Sequence, residues 1–297
     1  MVKVIQFKND SGQGLVAIFH LPESNVKKTG ILFVHSGVQG RHGNTDQYVA
    51  YAREFCRNGF PCLRFDPHGL GDSEGTIDPI DMRDFYGSIQ TGRYVEDTLQ
   101  AIEEFKLLGV DNIVLFGLCG GAITALLTAS MSKDVHGILL LSTPVMLDSS
   151  NIDYQLRFPK ETASLHLRGY VKKMFKIKFW LRFLTLKSDY STIFGYLKVI
   201  FSRTGKDQST SSSKKVALVN KYFFEAYAVC RDKMPIFWIF GSNDSFWYDF
   251  KREVLDPQLM SDSDKLLLIN DGNHMFTLQE WQRQIKAETA KWISDNF

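Results

Sequence analysis

The stretch Gly117-Leu118-Cys119-Gly120-Gly121 sets one cysteine between small residues, where an apolar run gives way to an Ala/Leu/Thr-rich segment. It reads as a nucleophile elbow of the form G-x-S-x-G, with cysteine in the serine position. In such a turn the central residue is strained and strand and helix crowd together, so the flanks must be small and the reactive side chain is pushed outward. The positive end of the helix that follows favours a thiolate on Cys119. A buried cysteine at an ordinary strand-helix turn is the plainer alternative. A nucleophile needs a base, and the base needs an orienting acid. Asp244, in Gly241-Ser242-Asn243-Asp244, and His274, in Asn270-Asp271-Gly272-Asn273-His274, supply those types. An oxyanion would take two backbone N–H groups, one from Gly120 and one from Gly37 or Val38 in His35-Ser36-Gly37-Val38. His35, His42 and His68 match no metal-ligand spacing, and neither a metal nor a cofactor is assigned.

These residues must be positioned by strands and helices that alternate along the chain. Val2 to Phe7 and Leu15 to Leu21 read as strands around the turn cluster Asn9-Asp10-Ser11-Gly12. Ile31 to His35 is a continuous apolar run of the kind buried on both faces of a parallel sheet. A helix over Tyr48 to Asn58, a strand over Pro61 to Phe65 and a helix over Thr91 to Leu108 follow. Next come a strand over Ile113 to Phe116, the elbow, a helix to Ser130 and a strand over Gly137 to Leu141. Ile236 to Phe240, Lys265 to Ile269 and a helix from Leu278 to about Asn296 close the pattern. Asp244 and His274 thus lie just past the carboxyl ends of two strands, where open α/β sheets build their sites. The order Cys119, Asp244, His274 is the nucleophile-acid-histidine order that accompanies such an elbow.

The alternation predicts an α/β fold: a mostly parallel sheet with helices on both faces and an antiparallel hairpin at its start. Its core would comprise residues 1–144 and 231–297, with a helical cap inserted over 145–230 that lines the pocket. A chain of 297 residues fits one large domain of this kind, and 44% hydrophobic with 23% charged residues excludes a disordered or fibrous chain. Four cysteines (Cys56, Cys62, Cys119, Cys230) form neither a disulfide framework nor a C-x2-C knuckle. With no signal-peptide core at the N-terminus and no run of about 18 apolar residues, a cytoplasmic location is expected.

Charge is segregated although the formal total is only +2. Residues 151–215 hold 14 Lys and Arg against four Asp and Glu, a net of +10 that leaves −8 for the rest. Within them Tyr170 to Phe183 interleaves Lys172, Lys173, Lys176, Lys178 and Arg182 with large apolar residues. Three readings stay open. The lysines are solvated while the apolar residues cover a pocket, or they meet the phosphates of a coenzyme A or acyl-carrier-protein thioester, or they contact an anionic membrane surface. Nucleic acid is not expected, because no binding motif accompanies the charge.

Taken together the motifs resemble the α/β-hydrolase superfamily over nearly the whole chain outside the cap. Besides the elbow, Asp244 and His274, the segment Leu63-Arg64-Phe65-Asp66-Pro67-His68-Gly69-Leu70-Gly71-Asp72-Ser73-Glu74-Gly75 is similar to the family's D-x-R-G-x-G-x-S-x-G pattern, with His68 in place of the arginine. Around Ser36-Gly37-Val38-Gln39 and Gly117-Leu118-Cys119 the chain resembles serine-aminopeptidase-like hydrolases, including those associated with exosortase systems. The cysteine elbow also resembles that of dienelactone hydrolase. These resemblances imply the α/β-hydrolase fold and hydrolytic chemistry, and say little of the substrate.

A cysteine nucleophile makes the covalent intermediate a thioester, which passes its acyl group readily to amines and thiols. The expectation is therefore a hydrolase that cleaves an acyl ester or thioester through Cys119, His274 and Asp244. Its rivals are an acyltransferase sharing the first half-reaction and a ligand-binding or scaffold protein whose elbow no longer turns over. Acyl chain, leaving group, acceptor and oligomeric state are not legible.

Overall fold

The computed structural model describes residues 1–35, 37–77, 80–149 and 219–297. Its strands are β1 (Val2–Lys8), β2 (Gly14–His20), β3 (Thr29–Val34), β4 (Cys62–Asp66), β5 (Asn112–Leu118), β6 (Val135–Leu141), β7 (Ile236–Gly241) and β8 (Lys265–Ile269). Its helices are α1 (Gln47–Arg57), α2 (Met82–Gln90), α3 (Val95–Leu107), α4 (Gly120–Met131), α5 (Lys221–Cys230), α6 (Ser245–Phe250) and α7 (Gln279–Asn296). The strands form one sheet in the order β1-β2-β4-β3-β5-β6-β7-β8. Only the β1/β2 and β2/β4 pairs are antiparallel; from β4 to β8 every pairing is parallel.

The apolar runs explain the middle of this sheet. Every residue of β3, β4 and β7 is buried, as expected of strands covered on both faces. On one face Phe33 and Phe116 pack with Tyr48, Tyr51 and Phe55 of α1, while Trp292 and Ile293 of α7 join the same cluster. Phe116 sits at its centre, with ring centroids 4.9 Å from Phe33 and 5.1 Å from Tyr51. Truncating such a residue to alanine costs about 3–5 kcal/mol. Successive β5 side chains alternate between faces. Ile113 and Leu115 therefore point the other way, toward α4, which packs on β5 and β6 and carries α3 and α5 against it. An all-round apolar helix such as α4 has to lie inside, and its residues from Gly120 to Ala129 are all buried.

Two expectations need correction. The helix expected over Thr91 to Leu108 begins only at Val95, and a separate helix, α2, precedes it. Gly92, at φ +112, turns the chain between them, and the Asp81 side chain caps α2 by accepting from the Arg83 N–H at 2.8 Å. The limits 145–230 of the insert are also too wide. The chain divides into two compact units, Met1–Asp148 with Asn220–Phe297, and Ser149–Val219. Val145 and Met146 are buried in the first unit. So is one face of α5: Phe223, Ala226, Tyr227 and Cys230, at helical spacing, are its buried residues, and Phe223 and Tyr227 pack on Trp238 of β7. The basic segment 151–215, with the stretch from Tyr170 to Phe183, lies outside the described residues. Among the described residues no helix is long and apolar enough to cross a membrane.

Candidate active site

Cys119 stands between β5 and α4 at φ +56, ψ −117, a conformation that a non-glycine residue adopts only under constraint. Its backbone N–H donates to Leu141 O at 2.9 Å, tying the turn to the end of β6. One residue earlier, the Leu118 N–H donates to the Tyr48 hydroxyl at 2.9 Å, which donates in turn to Val34 O at 3.1 Å. Glycine is needed at both flanks: a Cβ on Gly117 would stand 2.3 Å from Gly121 O, and one on Gly121 would stand 2.1 Å from His35 O. The strain at Cys119 is thus held by the ends of β3 and β6 and by α1.

Asp244 and His274 come from the two loops expected, those after β7 and β8. The His274 Nδ1 lies 3.1 and 3.0 Å from the two oxygens of Asp244, and Cys119 is near enough to the imidazole to raise its pKa. The Phe246 ring stands edge-on to it with centroids 4.7 Å apart. Asp244 is 2% exposed and accepts from the Phe246 N–H at 3.1 Å, so it also caps α6. Asp271, the other carboxylate near the histidine in sequence, is exposed.

Electrostatics follow from this packing. Burial alone would raise the Asp244 carboxyl, but the imidazole beside it and hydrogen bonds from His274, Ser142 and the Phe246 N–H hold it below the usual range. For His274, desolvation pulls the pKa down and is outweighed by Asp244 first and Cys119 second, so the ring is held well above its ordinary value.

The two loops expected to hold an oxyanion meet at the elbow. A Cβ on Gly120 would lie 3.2 Å from both the N and the Cα of Gly37, and Gly37 itself has φ +64. Among the described residues no hydrogen bond takes up the backbone N–H of Gly37, Val38 or Gly120. The Val38 side chain faces outward, 42% exposed. His35, fully buried against Tyr94, is pulled down to about 4 by its burial and is a neutral ring at neutral pH, donating from Nδ1 to Gly37 O at 2.8 Å. His68 is paired with Asp97, its Nδ1 2.7 Å from Oδ2. No group of three or more His, Cys, Asp or Glu side chains among the described residues is placed to hold a metal ion.

A family model described as the alpha/beta hydrolase fold matches residues 31–287. The chain belongs to the alpha/beta hydrolase fold family. Its alignment with a curated "Polyketide transferase" of Gibberella fujikuroi is 30% identical over 105 residues, covering 35% of this chain and 31% of that protein. Another, with "Polyketide transferase grgF" of a Penicillium species, is 29% identical over 119 residues, covering 40% and 37%. The chain thus spans well under two thirds of the curated relatives it matches. Among solved structures, the esterase Pf2001 of Pyrococcus furiosus superposes with a TM-score of 0.62 at 13% identity, over 99% of this hydrolase-family chain and 91% of that one.

Two residues at the site escaped the sequence reading. Ser142, just past β6, donates to the His274 carbonyl and helps hold the Asp244 carboxyl low. The rule that flagged Asp244 and His274, the carboxyl end of a parallel strand, applies to it equally. Tyr86 lies on α2, the helix that was not foreseen.

Proposed function

We propose that this chain cleaves an acyl ester or thioester through a covalent thioester on Cys119. The observation that carries this reading is the imidazole of His274, bonded through Nδ1 to a buried Asp244 and near enough to Cys119, at a strained elbow, for the two to interact electrostatically. His274 holds the thiol proton while Cys119 sulfur attacks the acyl carbon. The electron pair displaced onto the carbonyl oxygen is met by the N–H groups of Gly120 and Gly37. Collapse of that adduct breaks the bond to the leaving alcohol or thiol, which takes its proton from His274. In the second half-reaction His274 takes a proton from water or another acceptor as this attacks the thioester, then returns it to the departing Cys119 sulfur. Asp244 keeps Nδ1 protonated and oriented, so that the other nitrogen faces the thiol.

The acceptor separates two readings. Water makes the chain a hydrolase, consistent with its fold family and its likeness to an esterase. An amine, alcohol or thiol makes it an acyltransferase, a reading favoured by two curated relatives that carry the name polyketide transferase. The donor proposed is an acyl thioester of coenzyme A or of a carrier protein, or an acyl ester. The +10 charge of residues 151–215 supports a phosphate-bearing donor.

The test is a panel of p-nitrophenyl esters and acyl thioesters, with and without amine or thiol acceptors, read by product release and by intact-mass spectrometry of the enzyme. One acyl mass on Cys119 that turns over supports the reading. Turnover undiminished in Cys119→Ala overturns it, and a thiol inert both to acyl donors and to thiol-reactive probes points to binding alone.

A further inference from the structure

Helix α2 is held rigidly over the start of α4. Gln90 Nε2 donates to Asp148 Oδ2 at 2.7 Å, Gln90 Oε1 accepts from the Asp148 N–H at 2.7 Å, and Asn220 Nδ2 donates to Gln90 O at 2.9 Å. At Gly87 the helix comes so close to Asp148 that a Cβ would stand 2.2 Å from its carbonyl oxygen. The face this presents to the elbow is made by residues three apart, one helical step. Ile89 Cγ2 lies 3.2 Å from where a Cβ on Gly120 would be. The Tyr86 Cε1 lies 2.9 Å, and its Cζ and Oη 3.8 Å, from where a Cβ on Gly37 would be. One helix face therefore covers both peptide groups that converge at the elbow.

Tyr86 is half-buried there, and its hydroxyl makes no hydrogen bond to another described residue. A tyrosine partly removed from water ordinarily finds a partner for that group. Burial first, then the negative charges at Cys119 and Asp148, hold its phenol above the ordinary 10. The hydroxyl thus keeps its proton through the neutral range, and Cys119 is near enough to be felt.

We propose that the Tyr86 hydroxyl is a third hydrogen-bond donor to the acyl oxygen as it becomes an oxyanion, beside the N–H groups of Gly37 and Gly120. The proposal rests on the reading of Cys119 as nucleophile. A donor placed for charge that develops during reaction acts on the transition state and little on the bound substrate, so it belongs to kcat rather than KM.

The experiment is Tyr86→Phe, which keeps the ring against Gly37 and removes only the hydroxyl. Acylation of Cys119 is followed by rapid-quench mass spectrometry with p-nitrophenyl and alkyl-thiol donors of one acyl group. The expected result is a loss on the order of 10²-fold in acylation rate. KM should stay within about twofold, and the loss should be the same for good and poor leaving groups. A rate within about twofold of the parent overturns the proposal, as does a change confined to KM. A loss seen only with the poor leaving group assigns the hydroxyl to leaving-group protonation and equally overturns it. Normal acylation of Cys119 in Tyr86→Phe removes Tyr86 alone, whereas absence of any acyl mass on Cys119 in the parent removes both readings.

Discussion

The Ser142 hydroxyl donates to the backbone carbonyl of His274 at 3.1 Å, from a residue that is fully buried and sits at φ +49. Its neighbour Leu141 accepts the Cys119 N–H at 2.9 Å, and its own N–H donates to Ile239 O at 2.8 Å. The same side chain also helps hold Asp244 low. The end of β6 therefore bonds to both the elbow and the histidine's backbone, and its serine bears on the acid electrostatically.

Ser142→Gly keeps the left-handed backbone and removes the hydroxyl, whereas Ser142→Val puts a β-branched residue where φ is positive. The glycine variant should fold and lose about tenfold in kcat, with the basic limb of its pH-rate profile displaced as the His274–Asp244 pair loosens. The valine variant should lower the urea midpoint as well. An unchanged profile in Ser142→Gly would reduce Ser142 to a packing residue.

Cys119→Ala should abolish turnover with the fold intact, since losing the nucleophile of a triad costs several orders of magnitude. Cys119→Ser should retain weak activity with a long-lived acyl-enzyme, because the elbow accepts a hydroxyl while the histidine environment suits a thiol. Intact-mass spectrometry after mixing with substrate checks both. Fast turnover by an unmodified serine would contradict the second.

Asp244→Asn should lower kcat by roughly 10³ to 10⁴. The amide still caps α6, so the melting temperature should move far less than the rate. A change confined to KM would assign Asp244 to substrate binding.

The pair should also shape stability against pH. His274 has its pKa raised by folding, so its stabilising contribution is complete below the unfolded value near 6.5 and is lost as pH rises through the higher folded value. Asp244 has its pKa lowered, so its contribution is complete above the unfolded carboxylate value and is lost as pH falls through the folded one. The stability gap between the parent and His274→Ala should accordingly be widest in mildly acidic buffer and shrink toward alkaline pH. Urea midpoints at pH 6 and pH 9.5 measure it, and a gap that widens with pH would refute the assignment.

Reversing the charge of two residues among Lys172, Lys173, Lys176, Lys178 and Arg182 tests the partner of the basic segment. For a phosphate-bearing donor, KM for the coenzyme A thioester should rise and its salt dependence flatten, while a small neutral ester is hydrolysed as before. For a membrane, the variant should instead leave anionic vesicles, at roughly 1 kcal/mol per charge. No change in either assay makes the segment a solvated cover.

The strand-helix alternation, the elbow and the order of Cys119, Asp244 and His274 were legible from residues alone, because each rests on local chemistry. Continuous apolar runs demand a covered parallel sheet, and paired glycines demand a tight turn. Strand ends then carry the polar residues, whatever lies between them in the chain. Gly92 gave a local hint that the helix expected from Thr91 would break, but α2 is only nine residues long and its amphipathic pattern rests on few large apolar residues, Phe85 and Ile89 at its buried face, so the signal was brief. Helix α5 has a clear apolar stripe, yet only contact with α4 and Trp238 shows that it belongs to the core. Tyr86 and Ser142 lie 33 and 23 residues from Cys119 in sequence. Nothing near Tyr86 marks it, whereas Ser142 follows directly on the apolar run that ends at Leu141. Their place at the elbow follows from where α2 docks and where β6 ends, and those are decided by packing between distant segments, which only the folded chain brings about.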